Sequence, residues 1–127
     1  MSLRTMLKSK IHRATVTGAD VNYEGSITLD PLLMEAAEII PYEQVHVLDI
    51  NNGSRLTTYA IEGKPGFGPV IINGAAAHLI AEGDLIIILT YIDLPEEDAR
   101  SHRPTLVYVD AENRISRREM ASTAPGS

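Results

Sequence analysis

The chain contains no cysteine and no tryptophan, and only 5% of its residues are aromatic. Without cysteine there is no disulfide framework and no thiolate metal site. That fits a reducing compartment, and the expected location is the cytoplasm. No apolar run approaches the roughly 18 residues of a membrane-spanning helix. The longest, Leu85 to Leu89, has the length of a strand, and the N-terminus lacks the apolar stretch of a signal peptide. Basic residues are also in the minority: 11 Lys and Arg against 17 Asp and Glu leave a net charge of −6. A nucleic-acid binder needs a basic stripe to meet phosphates, so neither nucleic acid nor membrane is an expected partner. His12, His46, His78 and His102 show no metal-ligand spacing, and no metal is expected. There is no Gly-x-Ser-x-Gly elbow and no Walker loop. Gly63 to Gly68 is glycine-rich but lacks the following Lys-Ser/Thr and helix of a phosphate cradle.

What is present is one domain's worth of chain: 127 residues, 44% hydrophobic and 22% charged. Short apolar runs split by Gly, Pro and Asn predict a mainly β domain with a few short helices. Strands are predicted over Leu3 to Thr17, Ala19 to Glu24, Ser26 to Leu29, Gln44 to Ile50, Arg55 to Ile61, Val70 to Ile72, Leu85 to Ile92, Thr105 to Val109 and Arg114 to Arg118. Asp30-Pro31 is a helix start, since Asp caps free N–H groups and Pro has none to lose; Pro41 is expected to end that helix. A helical turn is expected from Asn73 to His78, and a short acidic helix from Pro95 to Arg100. Asn52-Gly53 predicts a tight primed hairpin turn. So many short strands need their edges closed or covered, and a small barrel does this economically. The domain is expected to span 1–120, with a disordered tail at 121–127.

Two clusters carry possible chemistry. In Tyr23-Glu24-Gly25-Ser26, the Gly-Ser pair by itself is an ordinary turn dipeptide. It matters if the Ser26 hydroxyl reaches the Gly25 carbonyl under strain, because an N-to-O acyl shift then makes an ester that elimination can cleave. Glycine suits the upstream position because it accepts conformations that other residues resist. In the second cluster, alternation places Arg55, Thr57 and Tyr59 on one strand face and Thr58 on the other. Arg offers a planar fork for a carboxylate, and Tyr can move a proton. Lys10 and His12 likewise share a face of the first strand. A hairpin with one polar face has the same pattern.

Taken together and in order, these segments resemble bacterial aspartate 1-decarboxylases, pyruvoyl enzymes that make β-alanine for pantothenate. The matching stretches are Arg4-Thr5-Met6-Leu7, Lys10-Ile11-His12-Arg13, Ala19-Asp20 with Tyr23-Glu24-Gly25-Ser26, Asn52-Gly53 with Arg55, Thr58-Tyr59-Ala60-Ile61, Asn73-Gly74-Ala75-Ala76-Ala77-His78, Gly83-Asp84 and Arg103-Pro104. The resemblance implies a double-psi β-barrel and a homotetramer with active sites between subunits. It implies autocatalytic cleavage of a zymogen between Gly25 and Ser26, giving a β-chain 1–25 and an α-chain 26–127 that begins with a pyruvoyl group made from Ser26. That group, with no metal and no pyridoxal phosphate, would decarboxylate L-aspartate through a Schiff base. The resemblance further implies Tyr59 as the acid at Cα, Arg55 as the carboxylate clamp and Lys10 as added positive potential. His12 would be a supporting residue from the β-chain, and Thr58 would assist cleavage and line the substrate site, which requires a bulge or a shared edge. Gly74, Ala75 and Ala76 would present backbone amides to substrate, with Asn73 beside the pyruvoyl. Leu48 stands where some relatives carry Trp, which leaves the shape of one pocket wall open. Nothing in the sequence calls for a maturation partner. The alternative is a non-enzymatic small β-barrel, a regulatory or binding module.

Overall fold

The computed structural model describes residues 2–121; the expected tail, from residue 122 onward, lies outside the described residues. Nine strands form a mixed sheet in the order β2-β6-β3-β5-β4-β7-β1-β8-β9. They are β1 Leu3–Thr15, β2 Gly18–Asp20, β3 Ser26–Leu29, β4 Gln44–Asp49, β5 Arg55–Glu62, β6 Val70–Asn73, β7 Leu85–Pro95, β8 Thr105–Val109 and β9 Ile115–Met120. Two short helices, α1 Pro31–Ala36 and α2 Glu96–Ser101, and a 3-10 turn Gly74–His78 complete the fold.

The sheet curls because consecutive strands β1 and β2 lie toward opposite ends of the row. The length of β1 pairs antiparallel with β7 and parallel with β8. The chain then bends through Val16 and Thr17, where the Thr17 amide donates to the Val70 carbonyl at 2.8 Å, and continues into β2, which pairs parallel with β6. The row is thereby drawn into the small barrel expected from the sequence. Inward positions alternate with outward ones. Ile27, Val45, Val47, Ala60, Ile72, Ile86 and Ile88 lie in one buried cluster with Ile11, Leu29 and Val70. Each large aliphatic side chain so placed contributes about 1.5–3 kcal/mol relative to exposure.

The helix start is as read: the Asp30 carboxylate accepts from the Leu32 amide at 2.9 Å. Its other oxygen accepts from the amides of Gly66 and Gly68, pinning the glycine-rich loop to the helix. The helix stops before Pro41, because Glu38 turns left-handed (φ 57°). The amide of Glu38 then donates to the Glu35 carbonyl and that of Ile39 to the Met34 carbonyl, satisfying the helix's last carbonyls.

Two expectations need correction. Ala19 to Glu24 is not one extended run. Asp20 closes a turn by accepting the Asn22 amide on its side chain at 3.0 Å, so β2 ends there. The β4–β5 connection is not a tight primed turn either. Of Asn52 and Gly53 only Gly53 has positive φ, 76°, and the loop is wider. It is built on Asp49, whose carboxylate accepts the amides of Asn51 and Asn52.

Candidate active site

Ser26 opens β3, which lies between β5 and β6. Register decides what shares its face. Ser26 stands opposite Asn73 and Ile27 opposite Ile72 across the antiparallel pair, while Ile27 stands beside Ala60 across the parallel one. Because Ile27, Ile72 and Ala60 are buried in the core, their neighbours in sequence, Ser26, Thr28, Asn73, Tyr59 and Ile61, point to the outer face.

Although outward, Ser26 and Asn73 are only 2% and 4% exposed. The Asn73 side-chain amide donates to the Ser26 hydroxyl at 3.0 Å and to the Thr28 hydroxyl at 2.9 Å. The Ser26 hydroxyl donates to the Glu24 carbonyl at 3.2 Å. Ser26 and Tyr59 both line a cavity of about 360 Å³ closed by Tyr23, Glu24, Tyr42 and Glu62. The Tyr42 ring lies against that of Tyr59, centroids 6.1 Å apart. A larger cavity, about 640 Å³ between α1 and the β8–β9 hairpin, holds none of the candidate residues.

Gly74 is the tightest point of the site. Its φ is +77°, and a Cβ there would lie 2.7 Å from the Gly25 Cα, 2.8 Å from the Gly25 nitrogen and 3.1 Å from the Tyr23 carbonyl oxygen. The backbone upstream of Ser26 therefore rests on the bare α-carbon of Gly74. Gly25 is different from what the sequence suggested. It is absent from the glycines with positive φ, and a Cβ on it would meet nothing within 4 Å. In the intact chain glycine is required at position 74 rather than at 25.

The remaining candidates are not gathered around Ser26 within one chain. Arg55 shares the outer face of β5 with Tyr59 but lies four residues away, about 13 Å along the strand, and is exposed. Thr58 faces inward between Leu56 and Ala60, and the β4–β5 register runs unbroken from Gln44 to Leu48. The bulge that would have turned Thr58 toward Tyr59 is absent there. Lys10 and His12 are on β1, four strands from β3, roughly 19 Å around the wall. They are nevertheless on the same outer face as Arg55. His12 is level with Ile87, Leu48 and Arg55, and Lys10 with Leu89, His46 and Thr57. Leu48 thus flanks Arg55. Burial, then the charges of Lys10 and Arg13, hold the His12 imidazole below its usual pKa, and its buried Nδ1 has no hydrogen-bond partner. Ala75 is exposed, while Ala76 packs against the core.

Sequence reasoning did not find Thr28 or Tyr42. Thr28 had a signal, its alternation with Ser26 two residues before; Tyr42 had none, since its place beside Tyr59 depends on the loop after α1. Among the described residues, no group of three or more His, Cys, Asp or Glu is placed to hold a metal ion, and no helix is long and apolar enough to cross a membrane.

Ser26, held by the Asn73 amide, thus meets Tyr59 around one small cavity. The family model described as aspartate decarboxylase matches residues 1–116. The chain belongs to the aspartate decarboxylase family. It is 61% identical over 112 residues to an aspartate 1-decarboxylase of Dehalococcoides mccartyi strain CBDB1, covering 88% of this chain and 90% of that one. Against the aspartate 1-decarboxylase of Syntrophus aciditrophicus it is 58% identical over 112 residues, covering 88% of this chain and 97% of the relative. With that of Rhodopirellula baltica it shares 58% identity over 113 residues, covering 89% and 72% respectively. The pyruvoyl group associated with the resemblance fits the residues present: its parent serine is buried, held by an amide donor, and borders a cavity.

Proposed function

We propose that this protein decarboxylates L-aspartate to β-alanine and CO2, supplying pantothenate synthesis, after cutting itself between Gly25 and Ser26. The observation that carries the reading is the setting of Ser26: its hydroxyl is buried, fixed by the Asn73 amide, and faces a cavity shared with Tyr59. In the cleavage, the Ser26 oxygen bonds to the Gly25 carbonyl carbon, the peptide C–N bond breaks, and the proton passes to the freed nitrogen. Loss of the Ser26 Cα proton then breaks the Cβ–O bond, releasing Gly25 as a carboxylate. Water replaces the nitrogen, which leaves as ammonia, and a pyruvoyl group remains at the head of chain 26–127.

When in place, that group supplies a carbonyl conjugated to an amide, an electron sink for decarboxylation. The chain's own residues do the rest. Tyr59, across the cavity, delivers a proton to the substrate Cα. Arg55, on one face with Lys10 and His12, grips a substrate carboxylate with paired charge-assisted bonds from a neighbouring subunit. The backbone at Gly74, Ala75 and Ala76 borders the substrate. Lys10 and His12 complete the site from a neighbouring subunit of a homotetramer. Their place on the same outer face as Arg55, but far from Ser26 in one chain, favours a site shared across an interface.

Intact mass under denaturing conditions tests the cleavage. Two fragments should meet at Gly25 and Ser26, with a summed mass exceeding the full chain by the difference between water and ammonia. A single full-length species after prolonged warming would refute self-activation. Processed protein that releases no CO2 from L-aspartate would refute the reaction.

A further inference from the structure

The Asn73 amide has two N–H groups, and both are used: one on the Ser26 hydroxyl, the other on the Thr28 hydroxyl. Asn73 stands directly across from Ser26, and Thr28 stands two residues along the same face of β3. One side chain therefore spans the diagonal. Thr28 is held in turn. Its methyl group lies where a Cβ on Gly63 would approach to 2.8 Å, so the space on that side is filled. A β-branched side chain has few χ1 choices; with the methyl seated against Gly63, the hydroxyl is left facing Asn73.

We propose that Thr28 is a positioning residue for the self-cleavage, holding the Asn73 amide so that it donates to the Ser26 hydroxyl. An amide bonded only to Ser26 is free to rotate about its last torsion, or to turn its oxygen toward the serine. Its second bond, to a hydroxyl fixed by packing, removes that freedom. The Ser26 proton is then committed to the Glu24 carbonyl, and the oxygen that attacks Gly25 keeps one orientation. This rests on the reading that the chain cuts itself at Gly25–Ser26.

The test follows the fraction of chain cut over time by denaturing mass spectrometry in the wild type, Thr28→Val, Thr28→Ser, Ser26→Ala and Asn73→Ala, with Thr28→Val also placed in the Asn73→Ala background. Thr28→Val keeps the shape and loses the hydroxyl. It should slow cleavage about tenfold, the worth of one hydrogen bond. Thr28→Ser should restore cleavage to within about threefold of wild type, because the hydroxyl returns. In the Asn73→Ala background Thr28→Val should have no further effect, since its action runs through the amide. Three results overturn the proposal while leaving the cleavage reading intact: Thr28→Val cutting at the wild-type rate, Thr28→Ser as slow as Thr28→Val, or an undiminished Thr28→Val effect without Asn73. A Thr28→Val chain too unstable to measure passes the decision to Thr28→Ser, where a rate like that of Asn73→Ala overturns it. A wild type that stays uncut overturns the proposal and the cleavage reading together.

Discussion

Replacing Gly74 by alanine should cripple self-cleavage, while replacing Gly25, the residue at the scissile bond, should not. At position 74 the backbone has φ +77°, where a Cβ costs about 1–2 kcal/mol from its own carbonyl. That Cβ would also lie 2.7 Å from the Gly25 Cα, against 3.4 Å for the start of ordinary contact. The neighbour is backbone, so the Tyr23–Gly25 segment must move by 3.4 − 2.7 = 0.7 Å. Crowding of this kind adds about 1–3 kcal/mol. A displacement near 1 Å at reacting atoms costs on the order of a hundredfold in rate, so Gly74→Ala should cut roughly a hundred times more slowly. Gly25→Ala adds a Cβ into open space at an ordinary φ and should cut within a few-fold of wild type. The assay is the time course of fragment formation on denaturing gels, beside thermal melting of both variants. Wild-type cutting by Gly74→Ala, or failure of Gly25→Ala in a well-folded chain, would refute the reasoning.

Other outcomes follow from the same geometry. Ser26→Ala should abolish cleavage and CO2 release together, since no hydroxyl remains; processed, active Ser26→Ala would contradict the scheme. Tyr59→Phe should cleave normally and decarboxylate poorly, and wild-type turnover would remove Tyr59 from the acid role. Arg55→Ala should weaken the response to aspartate by about 2–5 kcal/mol if the assembled enzyme desolvates the pair; steady-state kinetics showing an unchanged KM would refute the clamp. Asp49 offers a pH test. Its Oδ2 is buried without a hydrogen-bond partner. Burial, then the Asp84 contact, raises the Asp49 pKa, while the contact with Asp49 lowers that of Asp84. A raised acid lends stability while protonated, in full below its usual 3.8, and that stability is lost as pH rises through the folded value. Asp84 contributes with the opposite sign, losing its share as pH falls through its depressed pKa. Measured against Asp49→Asn, the wild-type melting temperature should therefore lose ground as pH rises from the acid side toward neutral; parallel profiles would refute the raised Asp49.

Much of this was legible in the sequence, for identifiable reasons. β3 and β7 were readable because their apolar residues match what a buried strand needs, and α1 because Asp30-Pro31 caps it by local chemistry alone. The face shared by Arg55, Thr57 and Tyr59 follows from the period of a strand. What was not legible depends on contacts between distant segments. Asp20 turns the chain back through its own side chain, a choice that strand pattern does not register. Asn52-Gly53 reads as a tight turn until Asp49 gathers the loop amides. Gly74 reads as a small residue for substrate, whereas the structure presses it against Gly25, 49 positions away (74 − 25). The distance of Lys10 and His12 from Ser26 is set by strand order, which periodicity does not encode.

The position of the Gly25–Ser26 bond within the strand order also fixes what becomes of the two pieces. A break there would detach no layer. The first piece carries β1, wedged between β7 and β8, and β2, seated on β6. The second carries all the partners of both. Neither piece keeps a closed wall without the other, since β1 is an interior stave and not an edge. Scission would then be a nick in a hoop that stays bound. The fragments should behave as one cooperative body that dilution or a change of salt does not part short of unfolding. The parts released would be the two new ends, beside the cavity that Ser26 lines.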